Sequence, residues 1–258
     1  GPRETGFKLT FGTWVGSPEP TDIRDTQCLV LIGSHIGENM HNTQVQEMSE
    51  CIDKGATIIA VDPRFSTAAS KAQHWLAIKP ATDMALLLAW MHVLIYENLY
   101  DKEYVELYGQ GFDKLKEHVR GFTPEWAYGI TTIKPEEIRK TARVMAEAAP
   151  SVIIHPGRHV TWYGDDSQRG RAVALLNALL GSWGRRGGFY FKESLKIPSF
   201  PHPPYPEPKW GWHEIGENFP FAEMGITNEI IKASIPGGND KYPVKAWMVA
   251  GTNLLQSI

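Results

Sequence analysis

Five short stretches of this chain gather residue types suited to holding a phosphorylated, nucleotide-like ligand. They are Gly33-Ser34-His35-Ile36-Gly37-Glu38-Asn39, Asp62-Pro63-Arg64, Pro80-Ala81-Thr82-Asp83, Pro156-Gly157-Arg158-His159 and Gly251-Thr252-Asn253. Glycines such as Gly33 and Gly37 let backbone amides come close to a phosphate, and a helix starting just after them adds unpaired N–H groups and a positive dipole end. Asp62 is of the type that accepts hydrogen bonds from ribose hydroxyls, and Arg64 can pair with phosphate. The Asp83 carboxylate can accept two hydrogen bonds, from N1–H and the exocyclic amine of guanine, a pairing that adenine does not offer. Each stretch also has a plainer reading. The Gly33 loop suits an ordinary tight βα turn, Asp62-Pro63 a strand-ending turn, and Asp83 a helix N-cap. The loop has His35 where the three-glycine dinucleotide fingerprint has its second glycine, which argues against an ordinary NAD site.

These stretches matter only if the chain brings them to one place, and its hydrophobic pattern says how. Residues 28–32 form an apolar run that stops at Gly33. A polar loop leads into a helical pattern over 43–54 that ends at Gly55, and a second strand over 57–61 stops at Asp62. Two strands joined by a helix make a right-handed βαβ unit with parallel strands. A short strand over 75–78 precedes an apolar helix running to about residue 96. Several helices fill 101–149, one announced by Thr123-Pro124-Glu125 and another by Pro135. A further strand covers 151–154, helical spacing runs from 168 to 180, and Gly181 with Gly184, Gly187 and Gly188 closes that segment. Prolines at 198, 201, 203, 204, 206 and 208 rule out regular structure, so 192–221 is expected to be an ordered excursion. A helix near 227–234 and a strand over 244–250 complete the pattern. The expected fold is α/β: a doubly wound, mostly parallel Rossmann-like sheet with flanking helices and a long Pro-rich loop. We divide it into a dinucleotide-binding domain over 1–150 and a continuation over 151–258 into a second cofactor-binding α/β region. In such a sheet ligands bind beyond the carboxyl ends of the strands, where all five stretches fall.

Bulk properties exclude several other functions. Net charge is −3 and the sequence pI about 6.3, so no basic field favours nucleic acid or an anionic membrane. The longest apolar run, 84–96, is shorter than the roughly 20 residues a bilayer-spanning helix needs and contains His92, so no direct membrane insertion is expected. Cys28 and Cys51 have no metal-site spacing and read as buried free thiols; no metal ligand is assigned. The chain begins Gly1-Pro2 and ends at Ile258 inside an apolar stretch, and is expected to be an excerpt of a longer protein.

Taken in order, the stretches resemble the molybdopterin oxidoreductases of the dimethyl sulfoxide reductase superfamily. The matching residues begin with Thr10-Phe11-Gly12, the Gly33–Asn39 loop, Gly55-Ala56, Val61-Asp62-Pro63-Arg64, Trp75 and Pro80-Ala81-Thr82-Asp83-Met84-Ala85-Leu86. They continue with Tyr163-Gly164, Gln168-Arg169, Arg171-Ala172, Leu176-Asn177-Ala178-Leu179-Leu180-Gly181, Gly187-Gly188, Lys245-Ala246 and Gly251-Thr252-Asn253. The resemblance implies a cofactor of two pyranopterin guanine dinucleotides holding molybdenum or tungsten. One dinucleotide would be held by Gly33, Ser34, His35, Glu38, Asn39, Asp62, Pro63, Arg64, Pro80, Thr82 and Asp83. Gly157, Arg158, Gln168, Gly251, Thr252 and Asn253 would serve the pterin and the second nucleotide. Arg158 or His159 would face substrate as the catalytic candidates, a fixed cation steering an anionic sulfur compound.

Within the family, Gly157-Arg158, Tyr163-Gly164 and Gly181-Ser182-Trp183-Gly184 resemble the polysulfide, thiosulfate or tetrathionate reductase branch, with arsenate reductase nearby. The family's habit implies anaerobic respiration in or facing the periplasm, with an iron–sulfur electron-transfer subunit and a membrane-anchor subunit as partners. It places the protein ligand to the metal and a 4Fe-4S cluster ahead of Thr10-Phe11-Gly12. Members usually carry Asn near His35 and Gly at Ala81, and this chain departs at both. Two other readings stay open: a cofactor-free structural relative within a respiratory complex, against which Asp62, Arg64 and Asp83 argue, and an NAD-dependent dehydrogenase, against which the missing fingerprint argues.

Overall fold

The computed structural model describes residues 2–13, 15–16, 19–34, 36–38, 42–157, 166–191, 231, 234–238 and 244–250. Its centre is a four-stranded parallel sheet in the order β3-β2-β1-β4, made of β1 (Cys28–Ile32), β2 (Thr57–Val61), β3 (His74–Leu76) and β4 (Val152–Ile154). All five residues of β1 are buried, although successive side chains point to opposite faces, so both faces of the sheet are covered. That is what the uninterrupted apolar run predicted. From β1 the chain steps outward to β2 and β3, then returns to place β4 on the other side of β1. The reversal makes the gap between β1 and β4 the topological switch point of a doubly wound sheet. The α/β expectation holds.

The helices follow the sequence signals closely. α2 (Asn42–Asp53) ends before Gly55, whose φ of +91° is the left-handed conformation that Gly adopts freely. α3 (Thr67–Lys71) is capped by Ser66 Oγ, which accepts from Ala69 N. α4 (Asp83–Tyr96) is buried on nearly every side, because it packs against α7 (Pro124–Thr131), α8 (Pro135–Ala148) and α9 (Asp166–Leu179). Between them, α5 (Lys102–Tyr108) and α6 (Phe112–His118) account for the remaining expected helices. Thr123 caps α7 by accepting from Trp126 N, with Pro124 in the first turn, as its Thr-Pro-Glu signal implied.

Three features depart from the sequence reading, the first being α3, a short helix that was not expected between β2 and β3. Pro2–Phe11 forms a helix, α1, that periodicity does not announce. It exists by packing on α9: an added Cβ on Gly6 would stand 2.3 Å from Arg171 N, so the two backbones touch where Gly6 leaves room. Conversely, residues 244–250 are not a strand but irregular and mostly exposed, with Met248 96% accessible. A mostly apolar run makes a strand only when a neighbour supplies hydrogen bonds, and no described strand pairs with this segment. The Pro-rich excursion 192–221 and nearly all of the expected helix at 227–234 lie outside the described residues.

Candidate functional site at the carboxyl edge of the sheet

Beyond β1 the chain turns at Gly33, whose φ of +54° only glycine adopts without cost, and Gly33 N donates to Val61 O at 3.0 Å. Glu38 then reaches across to the turn after β2. Its carboxylate accepts from Thr67 N at 2.6 Å and pairs with the Arg64 guanidinium. The Thr67 amide first, and Arg64 second, hold the Glu38 carboxyl down to about 2. Asp62 is buried, and its Oδ1 accepts from Arg64 N at 3.0 Å, closing an Asx-type turn around exposed Pro63. Trp75 Nε1 donates to Asp62 O at 2.9 Å, and the Trp75 ring meets Phe65 edge-on at 5.0 Å. Glu38, Asp62, Pro63 and Arg64 therefore form one cluster. Phe65, an exposed aromatic beside it, carried no periodic signal that could have marked it.

The turn before α4 builds a second cluster. Thr82 Oγ1 donates to Lys79 O at 2.6 Å, exposed Pro80 sits between them, and Ala81 takes φ +64°. This left-handed backbone gives the physical reason why glycine suits position 81. Asp83 is not the N-cap; Thr82 occupies that position and Asp83 is the first helical residue. Its side chain is buried, and burial pushes the carboxyl above the usual carboxylate range, with Arg169 of α9 opposing the shift. Among the described residues no side chain donates a hydrogen bond to Asp83. The Asp83 backbone N–H donates to the carboxylate and also opposes the shift, and a carboxylate can accept from several donors at once.

At the switch point the structure joins two of the expected residues, Ser34 and Gly157, to others that no sequence motif marked. Ser34, at the end of β1, lies with its Oγ 3.4 Å from His155 Nδ1, at the end of β4. Gly157, with φ +54°, donates its N–H to the same Nδ1 at 3.1 Å. His155 Nε2 is 3.2 Å from Gln44 Oε1, Gln44 Nε2 is 3.4 Å from Glu19 Oε2 and 3.3 Å from Thr21 Oγ1, and Glu19 pairs with Arg3. All of these side chains are buried. Arg3 lies in α1, Glu19 before β1 and Gln44 in α2, and only the tertiary fold joins them to His155.

Gln168 is exposed and lines a groove of about 910 Å³ with Met84, Leu88, Phe112, Leu115 and Arg171. The lining of this groove includes no residue of the Asp62 or Ser34 clusters. His35, Asn39, Arg158, His159, Gly251, Thr252 and Asn253 lie outside the described residues. Among the described residues no group of three or more His, Cys, Asp or Glu could hold a metal. Both cysteines are buried and free, and burial pushes the Cys28 thiol up to about 12 and Cys51 to about 11, which suits packing rather than ligation.

Comparison with known proteins places this arrangement. A model of the molybdopterin oxidoreductase family matches residues 6–257. The chain is similar to the thiosulfate reductase molybdopterin-containing subunit PhsA of Salmonella typhimurium, 31% identical over 98% of this chain and 35% of that protein. It is also similar to dimethyl sulfoxide reductase DmsA of Haemophilus influenzae, at 29% identity over 90% of this chain and 29% of that one. Among solved structures, acetylene hydratase from Pelobacter acetylenicus superposes with a TM-score of 0.64 at 30% identity, covering 72% of this chain and 25% of the other. The chain thus spans only 25% to 35% of the length of these relatives. With a parallel sheet whose carboxyl edge is lined by polar turns, and a family match running from residue 6 to residue 257, the chain belongs to the molybdopterin oxidoreductase family.

Proposed function

We propose that this chain is the part of an oxidoreductase catalytic subunit that holds a guanine-dinucleotide form of the molybdopterin cofactor at the carboxyl edge of its sheet. The observation that carries the reading is Asp83, a buried carboxylate to which no described side chain donates. Guanine would supply two further donors through N1–H and its amine, and the Arg169 charge opposite favours the ionised form that accepts both. Asp62, with Oδ1 held by Arg64 N, keeps its other oxygen for a ribose hydroxyl. Arg64 would exchange Glu38 for a phosphate. Gly33, Ser34 and Gly157 offer backbone at the switch point, with Pro80 and Thr82 shaping the wall beside Asp83. His35, Glu38, Asn39, Gln168, Gly251, Thr252 and Asn253 remain assigned to the cofactor, and Arg158 and His159 to the substrate side. When bound, the cofactor supplies two-electron redox chemistry at molybdenum or tungsten; the protein's part is binding, orientation and electrostatics. We keep the division at residue 150, noting that β4 continues the sheet across it.

For the substrate we propose a sulfur oxyanion or polysulfide, reduced in anaerobic respiration, with arsenate as the neighbouring option. The similarity to a thiosulfate reductase subunit over 98% of this chain supports it. The corresponding partners are an iron–sulfur electron-transfer subunit and a membrane anchor, with a 4Fe-4S cluster in the same catalytic subunit and a periplasmic location.

Metal analysis and nucleotide release from the full-length protein test the proposal. Molybdenum or tungsten accompanied by GMP after acid hydrolysis supports it. Absence of both would favour a cofactor-free relative, and NAD a dehydrogenase. Reduction of thiosulfate, tetrathionate and polysulfide by reduced viologen, run beside dimethyl sulfoxide and arsenate, then separates the substrate classes.

A further inference from the structure

The buried polar residues at the switch point form a closed hydrogen-bond circuit that begins and ends on one residue, Gly157. A backbone N–H can only donate, so Gly157 N donating to His155 Nδ1 at 3.1 Å leaves that nitrogen unprotonated. The neutral ring then carries its proton on Nε2, which donates to Gln44 Oε1 at 3.2 Å. The Gln44 amide is oriented independently from its other end. The Glu19 carboxylate accepts, so the Gln44 atom facing it must be Nε2. Glu19 accepts in turn from Arg3 Nη1, and the same Nη1 donates to Gly157 O at 3.1 Å. Both assignments agree, and every step has one donor and one acceptor.

We propose that His155 is a positioning residue that presets the crevice between β1 and β4 for cofactor loading, by holding the Gly157 N–H and tying the Ser34 turn to it while Arg3 holds the Gly157 carbonyl. Three features argue that this is more than core filling. The circuit draws on five separated segments: α1 through Arg3, the stretch before β1 through Glu19, the β1 turn through Ser34, α2 through Gln44, and the β4 turn. It places a charged pair, Arg3 at 9% and Glu19 at 3% accessibility, where apolar side chains would fill the space at lower desolvation cost. And it converges on Gly157, whose left-handed backbone directs the chain into residues 158 onward, at the point where an open α/β sheet takes its ligand. The inference rests on the reading that this edge holds the cofactor.

The test uses the full-length enzyme with His155→Asn, His155→Gln and His155→Ala. Asparagine puts an oxygen near the place of Nδ1 and keeps the acceptor for Gly157 N, whereas glutamine reaches toward Gln44 and leaves Gly157 N without its partner. GMP and metal content per protein, the half-time of cofactor loss in dilute buffer, and melting temperature are measured on each. The asparagine variant is expected to hold cofactor within about twofold of wild type, and the glutamine and alanine variants to lose it about tenfold faster. The two amide variants should melt within a few degrees of each other. Equal cofactor retention in the asparagine and glutamine variants, or retention that tracks melting temperature alone, would overturn the proposal. A wild-type enzyme lacking metal and GMP would instead defeat the functional reading beneath it, so the two failures are distinguishable.

Discussion

Asn177 presents its side-chain amide to Ile154 as a neighbouring strand would: Oδ1 accepts from Ile154 N at 3.0 Å and Nδ2 donates to Ile154 O at 2.9 Å. Among the described strands β4 lies at the edge of the sheet, and Ile154 is its last residue before His155. A single buried helix side chain therefore satisfies the outward edge at the point where the strand hands over to the functional turn. Replacing Asn177 with Leu keeps the size but orphans two buried backbone groups. The expected cost is roughly 2–5 kcal/mol, read as a lowered midpoint in urea unfolding.

α1 reaches the site because its backbone lies directly on α9. In Gly6→Ala the new methyl would stand 2.3 Å from Arg171 N and 2.4 Å from the Gly170 carbonyl carbon, neither of which can rotate away. We expect a loss of about 1–3 kcal/mol. Arg3 should shift with the helix, so cofactor retention should fall with stability.

Ala81 makes the opposite prediction. With φ at +64° it occupies a conformation that costs an L-residue about 1–2 kcal/mol, part of which glycine gives back through its more flexible unfolded chain. Ala81→Gly should stabilise the protein by about 0.5–1 kcal/mol, measured by thermal or urea unfolding. An unchanged or lower midpoint would count against the backbone conformation described.

Glu38 provides a pH signature. Its folded value, about 2, lies below the ordinary 4.5, so its ionised form adds stability above pH 4.5, which is lost as pH falls toward 2. Glu38→Gln removes that dependence. The difference in melting temperature between wild type and variant should be largest at neutral pH and shrink between pH 4.5 and 2. A constant difference across that window would mean that Glu38 does not hold Thr67 N and Arg64 as described.

Much of this arrangement was legible in the sequence, for definite reasons. β1 and β2 are unbroken apolar runs ending at glycine or aspartate, and Gly55, Thr123 and Pro135 mark helix limits by local chemistry. Asp62, Arg64 and Asp83 were legible because they follow strands. What the sequence did not announce depends on contacts between distant segments. α1 has Gly6 at its centre and little amphipathic pattern, and forms because α9 offers Gly170 opposite. The circuit through Arg3, Glu19, Gln44 and His155 has no spacing to betray it. Residues 244–250 failed in the other direction, since a mostly apolar run was present but no described partner strand is.

The central claim is that Asp83 reads guanine, and Asp83→Asn in the full-length enzyme tests it most directly. Burial raises the Asp83 carboxyl, so folding disfavours its ionised form, and the neutral amide should leave the melting temperature of cofactor-free protein unchanged or higher. Against guanine, however, the amide turns one acceptor into a donor, at a cost of roughly 1.5–3 kcal/mol. We predict two GMP per metal in the wild type, and both GMP and metal about tenfold or more reduced in the variant. Equal GMP and metal content in the two proteins would contradict the account.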